Sequence, residues 1–528
     1  MSKSRPIEKL NDFRVVAVID IGSTAIRMTI ARIGTEGEIK VLESLQQSVT
    51  LGRDTFNQGF LRKSSIEDCV KALKSFRHTL NEYGVTEPDQ LRVVATTAVR
   101  EALNKDLFLD RILVANDMKV EIIDDADISR ITYLSARSYL GSRKVHRTPG
   151  MVVAEISGGS TEILYIKNSD VLLSRTYRLG SLRLKESLET FRTAMSRKQD
   201  IMANDIARTV LQVSKAIPRD QPLTLLVQGN DARLAAGQII PEWNRTDPVK
   251  LQLSALGKFT EKVLSKSTDE LVHRYHLSFA DAETLGPSLL FYTELARLLK
   301  LKSVVVTDIS IRHGFLMEMA LKGRWNDDFT HQIIRSAIET GRKYSFNYKH
   351  SQHVAYLASL LFHELKKEHR IPLWYENILK VAALLHDIGT FVNIRNHHKH
   401  SMYLILNSDL FGLSRKDILI TALTARYHRR SSPKTTHEEY SSLDRESRLV
   451  VWRLAAILRI ADALDKSDKR RIKKITCTRE KDLLVLNVPD RDDFTLEQIA
   501  IQSKGSMFED IFGMNVVIRN NPEFPEHS

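Results

Sequence analysis

Two short turns rich in glycine, serine and threonine constrain the fold of this 528-residue chain more than any other feature. They have the sequences DIGST at residues 20–24 and SGGSTE at residues 157–162, and each follows an apolar run typical of a buried strand. Glycine lets backbone N–H groups turn toward one point, and the hydroxyl side chains add donors, so such a turn can surround an anionic oxygen. One turn alone is common in α/β proteins, whereas two that face each other would hold a polyphosphate.

The residues of these turns are the candidate phosphate ligands, and the carboxylates beside them indicate what else the site could hold. A carboxylate next to a phosphate is favourable mainly when Mg²⁺ lies between them or when it orients a water molecule. We therefore expect Asp20 and Glu155 to bind Mg²⁺ and Glu162 to orient water. The candidate phosphate-binding residues in the two turns are Gly22, Ser23, Thr24, Gly158, Gly159, Ser160 and Thr161.

The charge of the chain indicates an acidic partner. The formal net charge is +13 and the isoelectric point is near 9.4. Such a charge would suit nucleic acid, a membrane surface or a phosphate-rich substrate, and it does not choose between them. The basic residues are not interleaved with the aromatic side chains that platforms for single-stranded nucleic acid use, so no specific nucleic-acid partner is predicted. A basic face that is simply solvated is an equally good interpretation.

The remaining composition predicts a location in the cytoplasm. Residues 1–14 are charged and contain no apolar signal core, and the apolar run at residues 15–19 is too short to span a membrane. The two cysteines, Cys69 and Cys477, are too few for a disulfide framework and have no metal-binding spacing. We therefore expect a cytoplasmic protein without a membrane partner.

The order of apolar periodicities predicts an α/β fold in four parts. The first strand, turn and strand lead into a helix over residues 64–83 and, later, a helix at about 128–139, and the same plan restarts at residue 151. Two similar halves of this kind predict a cleft between them. From about residue 330 to 467 strands disappear, and histidine-rich helices take their place. We expect two similar α/β domains at residues 14–135 and 136–325, a helical domain at 326–470 and a small α+β cap at 471–528.

The two turns, together with ATTAVREALN at residues 95–104 and DISIRHG at residues 308–314, closely resemble the exopolyphosphatase/guanosine pentaphosphate phosphohydrolase family over nearly the whole chain. The resemblance implies two actin-like (ribonuclease H-like) domains, an all-α HD-type domain and a small mixed cap. It also implies a homodimer that removes terminal phosphate from inorganic polyphosphate or guanosine pentaphosphate with Mg²⁺. The expected partners are inorganic polyphosphate and guanosine penta- or tetraphosphate. Thr97 and Arg100 would then bind phosphate, since the planar guanidinium can pair with two phosphate oxygens.

The sequence departs from the family pattern at the expected catalytic base. The family has a Ser-Gly-any-Glu-Glu segment after the strand at 120–123, and its second Glu is taken as the base that activates water. The aligned position here is Ile128. Isoleucine cannot accept a proton, so this replacement should remove a contribution of about 10² to 10⁴ in rate. Asp127 and Glu162 are the candidate replacements, and a solvated acidic turn is the alternative interpretation of Asp127.

The second turn departs from the family pattern as well. The family sequence DIGGGSTE reads EISGGSTE at residues 155–162. Glu155 is one methylene longer than the aspartate expected beside the metal, and Ser157 resists the positive φ that glycine would adopt freely. We therefore expect an altered geometry that slows catalysis or changes the substrate.

A second candidate site lies in the helical part, where the surrounding sequence resembles an HD-type domain. The four candidate metal ligands are His350, His386, Asp387 and Asp462, and each has apolar neighbours at helical spacing. Imidazole and carboxylate together suit a second divalent metal, and His400 and His428 could add a further metal or a phosphate. The alternative is a structural or dimerising module in which the histidines are core groups with satisfied hydrogen bonds. We expect His353, His363 and His397 on the surface.

The sequence thus favours a Mg²⁺-dependent phosphohydrolase of exopolyphosphatase type, and two alternatives remain open. The first is a catalytically weakened protein that binds polyphosphate or guanosine polyphosphate as a sensor, which Ile128 and Ser157 motivate. The second is a phosphohydrolase that acts through the HD-type metal site.

Overall fold

The computed structural model describes residues 13–140, 150–189, 195–245, 247–321, 327–429, 431–488 and 493–520. The chain divides into two compact units, residues 1–326 and 327–528. The predicted domain boundary at residues 325 and 326 lies outside the described residues. Across the described helices, none combines the length and the apolar character that crossing a membrane requires.

The first lobe of unit one is built on a five-stranded sheet with the order β3-β2-β1-β4-β5. Strands β1, β2 and β3 are antiparallel, whereas β4 and β5 join β1 in parallel. The strands are β1 (Arg14–Ile21), β2 (Ala25–Ile33), β3 (Ile39–Ser48), β4 (Leu91–Ala95) and β5 (Val120–Ile122). The helices are α1 (Leu51–Gln58), α2 (Lys63–Glu82), α3 (Thr97–Arg100), α4 (Lys105–Asn116) and α5 (Asp125–Leu140).

The second lobe repeats this plan on a six-stranded sheet with the order β10-β11-β9-β6-β7-β8. Its first three strands are again antiparallel, and β9 and β11 extend the sheet in parallel. The strands are β6 (Gly150–Ile156), β7 (Thr161–Lys167), β8 (Asp170–Tyr177), β9 (Leu223–Gln228), β10 (Val249–Gln252) and β11 (Ser303–Val306). The helices are α6 (Ser181–Glu189), α7 (Met195–Ala216), α8 (Asn230–Ile239), α9 (Leu253–Leu264), α10 (Thr268–Tyr275), α11 (Phe279–Leu298) and α12 (Ile311–Ala320).

The central strands β1 and β6 form where the sequence has continuous apolar runs, because helices cover both faces of each sheet there. Helix α2 covers one face of the first sheet with Ile66, Leu73 and Phe76, which are buried in the core of that lobe. The opposite face packs against Ile131 of α5 and Phe315 of α12. Helix α12 follows the last strand of the second lobe yet packs on the first, so it ties the two lobes together.

Unit two is helical up to residue 464 and then contains a small sheet. Helix α16 is buried along most of its length, which matches its nearly continuous apolar sequence. The helices are α13 (Asp327–Lys343), α14 (Tyr348–Glu364), α15 (Lys366–His369), α16 (Tyr375–Leu385), α17 (His397–Leu406), α18 (Arg415–Arg426), α19 (Glu438–Ser441) and α20 (Arg445–Leu464), with a 3₁₀ turn at Ile388–Phe391. The sheet has the order β12-β13-β14. Its strands are β12 (Thr476–Glu480), β13 (Leu483–Val488) and β14 (Asn515–Asn520), with α21 (Thr495–Lys504) and α22 (Ser506–Phe512).

Candidate active site

The two glycine-containing turns have the same hydrogen bond and lie at equivalent places in the two lobes. The N–H of Gly22 donates to the carbonyl of Ala25 over 3.0 Å, and the N–H of Ser157 donates to the carbonyl of Ser160 over 2.8 Å. The first turn connects β1 to β2, and the second connects β6 to β7. The duplicated strand order therefore produces two equivalent turns.

The two turns approach each other closely across the lobes. A Cβ atom at Gly158 would meet the Cβ of Ser23 at 3.1 Å, and one at Gly159 would meet the Cβ of Thr97 at 2.8 Å. The hydroxyl oxygens of Thr97 and Ser160 are 3.3 Å apart. Glycine is needed at position 159, because a larger residue would push Thr97 and the first lobe away, whereas at position 158 a larger residue would require Ser23 to shift by a few tenths of an ångström.

A cleft lies between the lobes at these turns. Predicted site residues that line it are Asp20, Gly22, Ser23, Thr24, Thr97, Glu155, Gly158, Ser160 and Glu162. Gly159, Thr161, Arg100 and Asp127 do not line it.

Thr161 and Arg100 have partners that explain why they lie outside the cleft. The Thr161 hydroxyl donates to the carbonyl of Leu179. The Arg100 guanidinium donates to the carbonyl of Ile123 over 2.8 Å and pairs with Asp125 at 2.6 Å. These interactions hold the guanidinium beside the start of α5, so the predicted phosphate contact of Arg100 would require this ion pair to open.

Asp127 is engaged at the N-terminus of α5. Its N–H donates to Asp124 Oδ1 over 2.9 Å, and its carboxylate accepts from the N–H of Asp124 over 3.3 Å. This reciprocal pair is a capping box, and Asp127 also pairs with Arg130 at 3.3 Å. Ile128, the next residue, lines the cleft. We therefore correct the assignment of Asp127 as a catalytic base, since its carboxylate caps a helix and is turned away from the cleft.

Glu162 is the carboxylate that the structure leaves available to a water molecule. It is 4% exposed, its Oε2 accepts from the Thr176 hydroxyl over 2.6 Å, and its Oε1 is buried without a hydrogen-bond partner. Burial raises the pKa of Glu162 to about 8. A carboxylate in this state is a stronger base than an exposed one, but it holds its proton at neutral pH in the free protein.

Three further carboxyl groups of the cleft are perturbed in the same direction. Burial raises the pKa of Glu155 to about 7 and that of Asp231 to about 6, and it also raises the pKa of Asp20. Glu155 lies directly opposite Glu162 in the register of β6 and β7. Neighbouring like charges therefore add to the effect of burial, and a cation in the cleft would oppose both.

Asp20 and Glu155 fit a Mg²⁺ ion that binds together with a phosphate. Asp20 Oδ1 is buried and has no hydrogen-bond partner. Mg²⁺ commonly takes one or two protein carboxylates and completes its shell with substrate phosphates and water. Within the described residues of unit one, no three His, Cys, Asp or Glu side chains converge on one point. The donor set thus suits an ion shared with the substrate better than a site made of protein ligands alone.

Three arginines that the sequence patterns did not indicate also line the cleft. They are Arg27, Arg233 and Arg312. Arg312 donates to the Thr29 hydroxyl over 3.0 Å and lies 3.7 Å from Asp20, and burial lowers its pKa to about 10. Arg233 donates to the carbonyl of Asp308 over 3.1 Å. Only Arg312 lies in a segment with a recognised motif, residues 308–314, which could have signalled it.

Ser157 does not distort the second turn, contrary to the expectation from the sequence. It is not among the residues of the described chain with a positive φ. Its hydroxyl donates to the carbonyl of Ser160 over 3.1 Å, inside the turn. A serine at this place is compatible with the turn because the backbone does not need the conformation that favours glycine.

In unit two, the structure brings all four predicted metal ligands together. Asp462 Oδ1 lies 3.8 Å from Nε2 of both His350 and His386, and Asp387 lies 3.5 Å from Nε2 of His386. His428, predicted as an additional ligand, lies 3.5 Å from Asp387. His400 is not among the His, Cys, Asp and Glu side chains of the described chain that lie in groups of three or more close enough together to hold a metal ion.

The predicted surface position is wrong for two of the three histidines that we placed there. His397 lies 3.1 Å from Asp387 and belongs to the cluster, because the 3₁₀ turn at Ile388–Phe391 returns the chain to the start of α17. His353 is partly buried and pairs with Asp465 at 3.0 Å. His363 is exposed, as predicted.

Two family models match this chain. Residues 29–323 match the Ppx/GppA phosphatase family, and residues 334–501 match the Ppx/GppA phosphatase, domain III. The second match crosses the boundary at residue 470 that we predicted between the helical domain and the cap.

Individual relatives agree with these matches. A guanosine-5'-triphosphate,3'-diphosphate pyrophosphatase from Photobacterium profundum is 24% identical over 459 residues, which are 84% of this chain and 84% of that protein. The crystal structure of an exopolyphosphatase from Cytophaga hutchinsonii has a TM-score of 0.53 at 19% identity and covers 58% of this chain and 98% of that chain. The Aquifex aeolicus family member has a TM-score of 0.49 at 21% identity and covers 59% and 99%.

The family matches and the Cytophaga hutchinsonii structure confirm the predicted fold of two actin-like lobes followed by a helical region, and the family matches support a hydrolase. The match at residues 29–323 alone covers more than half of the 528 residues. It contains most of both lobes and the second glycine turn, and it starts just after the first turn. Because this family model covers more than half of the chain and the two equivalent turns face one cleft, the chain belongs to the Ppx/GppA phosphatase family.

Proposed function

We propose that the chain removes the terminal phosphate of inorganic polyphosphate or of guanosine pentaphosphate in a Mg²⁺-dependent hydrolysis. The observation that carries this proposal is the approach of the second turn to the first lobe: the Ser160 hydroxyl oxygen lies 3.3 Å from that of Thr97, at the start of α3, and Gly158 lies against Ser23 of the first turn. Donors from both lobes therefore converge where a terminal phosphate would bind. Arg27, Arg233 and Arg312 add positive charge to the same cleft.

The chemistry of the site follows from the groups around this point. With Glu162 ionised, which a cation bound in the cleft favours, a water molecule that donates to Glu162 Oε1 would attack the terminal phosphorus. Its oxygen forms the new P–O bond, its proton passes to Glu162, and the bridging P–O bond breaks, so the shortened polyphosphate leaves with the bonding electron pair. When bound, Mg²⁺ would neutralise phosphate charge beside Asp20 and Glu155.

The experiment that tests the proposal measures phosphate release from long-chain polyphosphate and from guanosine pentaphosphate. Wild type, Glu162→Gln and Glu261→Gln are compared with Mg²⁺ present. Glu261 is a matched control because it is an exposed glutamate on α9. We expect turnover in wild type and Glu261→Gln and a loss of about 10² to 10⁴ in Glu162→Gln, as removal of a general base predicts.

Other outcomes have distinct meanings. Turnover that survives in Glu162→Gln would contradict the role of Glu162. It would direct attention to another carboxylate of the cleft or to the predicted metal ligands of unit two, His350, His386, Asp387 and Asp462. Absence of turnover in the wild type would contradict the enzymatic proposal itself.

A second candidate function is a sensor that binds the polyphosphate without hydrolysing it. The observation that favours it is the position of Ile128, whose side chain lines the cleft where a proton acceptor would be useful, while Asp127 points away. In this case wild type binds the ligand with little turnover.

Restoring a carboxylate at position 128 separates the two candidates. We expect Ile128→Glu to raise phosphate release by about 10²-fold if a missing base limits the reaction. Ile128→Gln is the matched control, because it introduces the same polar shape without a base. Equal rates in the two variants would mean that the missing carboxylate at this position does not limit turnover.

A further inference from the structure

Four side chains of unit two point nitrogen and oxygen atoms at one another from three different segments. His386 follows α16, His397 begins α17 and His428 follows α18, and all three approach Asp387. His386 is fully buried, and its Nε2 has no hydrogen-bond partner. An unpartnered ring nitrogen in the interior is costly unless something outside the chain binds it.

The orientation of each ring is fixed by a hydrogen bond from its other nitrogen. Nδ1 of His386 lies 2.7 Å from the carbonyl of Ala383, and Nδ1 of His428 lies 2.6 Å from the carbonyl of Ala425. Nδ1 of His397 likewise lies 3.0 Å from the carbonyl of Ile394. Because a carbonyl only accepts, each Nδ1 carries a proton. A neutral ring protonated at Nδ1 keeps its lone pair on Nε2, as at His386 and His428. Nε2 of His397 lies 3.1 Å from Asp387 Oδ1, which only accepts, so this nitrogen also carries a proton in the free protein and releases it when a metal binds. Backbone hydrogen bonds of this kind are usual behind metal-binding histidines.

The spacing of the free atoms suits a cation. The Nε2 atoms of the three histidines lie 3.1 Å to 3.5 Å from Asp387 oxygens, and Nε2 of His397 and His428 are 3.4 Å apart. Two ligands of a tetrahedral ion with bonds near 2.1 Å are separated by about 3.4 Å.

The neighbouring group of His350, His386 and Asp462 is less well placed. Its ligand atoms are 3.8 Å apart. Lys504 on α21 contacts Asp462 Oδ2, so an ammonium already neutralises that carboxylate. His386 belongs to both groups, and its single Nε2 lone pair can bind only one ion.

We propose that unit two binds one divalent transition-metal ion through His386, Asp387, His397 and His428, and that Lys504 occupies the place of a second cation beside Asp462. Imidazole ligands with one carboxylate suit Zn²⁺, Co²⁺, Mn²⁺ or Fe²⁺ better than Mg²⁺. The ammonium of Lys504 supplies the positive charge that a second ion would bring. The site shares no residue with the phosphate cleft of unit one and does not depend on the proposed reaction there.

Cobalt binding to the full chain tests this proposal. The protein is stripped with a chelator and titrated with Co²⁺ in excess Mg²⁺, which competes at the carboxylates of the cleft, and the visible d–d absorption is followed. We expect saturation at one equivalent with the intense bands of a four-coordinate site. His428→Gln and His397→Gln should weaken binding by about 10-fold or more, as the loss of a ligand predicts. His363→Gln, which changes an exposed histidine, should bind like wild type.

Lys504→Gln tests the second half of the proposal. Removing the ammonium frees His350 and Asp462 for a second ion, which should bind more weakly than the first because His386 serves only one ion, so the stoichiometry at high Co²⁺ should approach two equivalents. X-ray absorption at the cobalt edge of the wild-type protein counts imidazole ligands directly, so it answers the question even if a variant does not fold. Two equivalents in wild type, unchanged binding in His428→Gln, a cobalt spectrum without imidazole scattering, or one equivalent in Lys504→Gln would overturn the corresponding part of the proposal.

Discussion

At the scale of single residues, the cleft of unit one is defined by carboxyl groups that are buried but lack a full set of hydrogen-bond partners. Glu162 is the clearest case, because burial raises its pKa to about 8 and one of its oxygens has no hydrogen-bond partner. Such a group costs free energy of folding whenever it is ionised. A site that tolerates this cost suits a ligand that brings cations or proton donors.

Glu162→Gln should make the stability of the protein less dependent on pH. The folded-state pKa of Glu162 is raised, so its contribution to stability is present below the unfolded value near 4.5 and is lost as pH rises through about 8. We expect the variant and wild type to have similar free energies of unfolding at pH 5. At pH 9 the variant should be more stable by about 2–4 kcal/mol. Thermal unfolding across this pH range measures the difference.

The control for this experiment is Glu261→Gln, whose carboxyl is exposed. It should follow the wild-type curve at every pH. A Glu162→Gln variant that is less stable than wild type at pH 9 would mean that the ionised carboxylate has a stabilising partner in the folded protein.

At the scale of elements, the helix and strand ends decide which side chains reach the cleft. The capping box at the start of α5 takes the carboxylate of Asp127 out of the cleft and leaves Ile128 facing it. The register of β6 and β7 has the opposite effect, because it sets Glu155 and Glu162 side by side at the cleft. A shift of one residue in the register of β6 and β7 would exchange the inward and outward side chains.

Asp127→Ala should therefore reduce stability and leave any phosphate release unchanged within about twofold. The loss of a helix cap costs about 0.5–2 kcal/mol. Denaturant unfolding and the phosphate assay measure the two effects separately.

Glu270→Ala is the matched control for Asp127→Ala. Glu270 occupies the same position in the capping box of α10 and also pairs with a basic neighbour, Lys266, at 3.1 Å. Both variants should lose similar stability. A drop of 10²-fold or more in phosphate release for Asp127→Ala alone would restore Asp127 as a catalytic base.

At the scale of the whole molecule, the net charge of +13 is expected to attract long polyanions. Salt screens this long-range attraction, because the Debye length is only about 10 Å at 0.1 M ionic strength. The contacts within the cleft act at shorter range and are screened less.

The apparent affinity for long-chain polyphosphate should therefore fall with added salt. We expect a decrease of about 10-fold between low and near-physiological ionic strength, as loss of electrostatic steering predicts. Tripolyphosphate, which reaches little beyond the cleft, is the control and should show a weaker dependence. Equal salt dependence for both ligands would mean that the charge outside the cleft contributes nothing to binding. Titration at several salt concentrations measures both.

The predicted strands, turns and helices agree with the structure because each depends on neighbours in sequence. The helix predicted over residues 64–83 is α2 (Lys63–Glu82), and the strand predicted at residues 120–123 is β5 (Val120–Ile122). The turns at Gly22 and Gly158 follow from their glycine, serine and threonine residues directly after an apolar run. The assignment of residues 326–470 as an HD-type domain stays a prediction, although its expected metal ligands come together in the fold.

The sequence by itself determined the duplicated strand-turn-strand plan, the helical region and most of the turn residues that line the cleft, because periodicity and glycine act over a few residues. Only the tertiary structure decided which distant groups meet. Arg27 and Arg233 line the cleft, which no sequence pattern predicted, whereas Asp127 and Arg100 were predicted in the site and do not line it. His397 was predicted on the surface and instead lies beside Asp387 in unit two. The reason is that a side chain reaches its partners through the packing of whole helices and strands, which a local pattern does not contain.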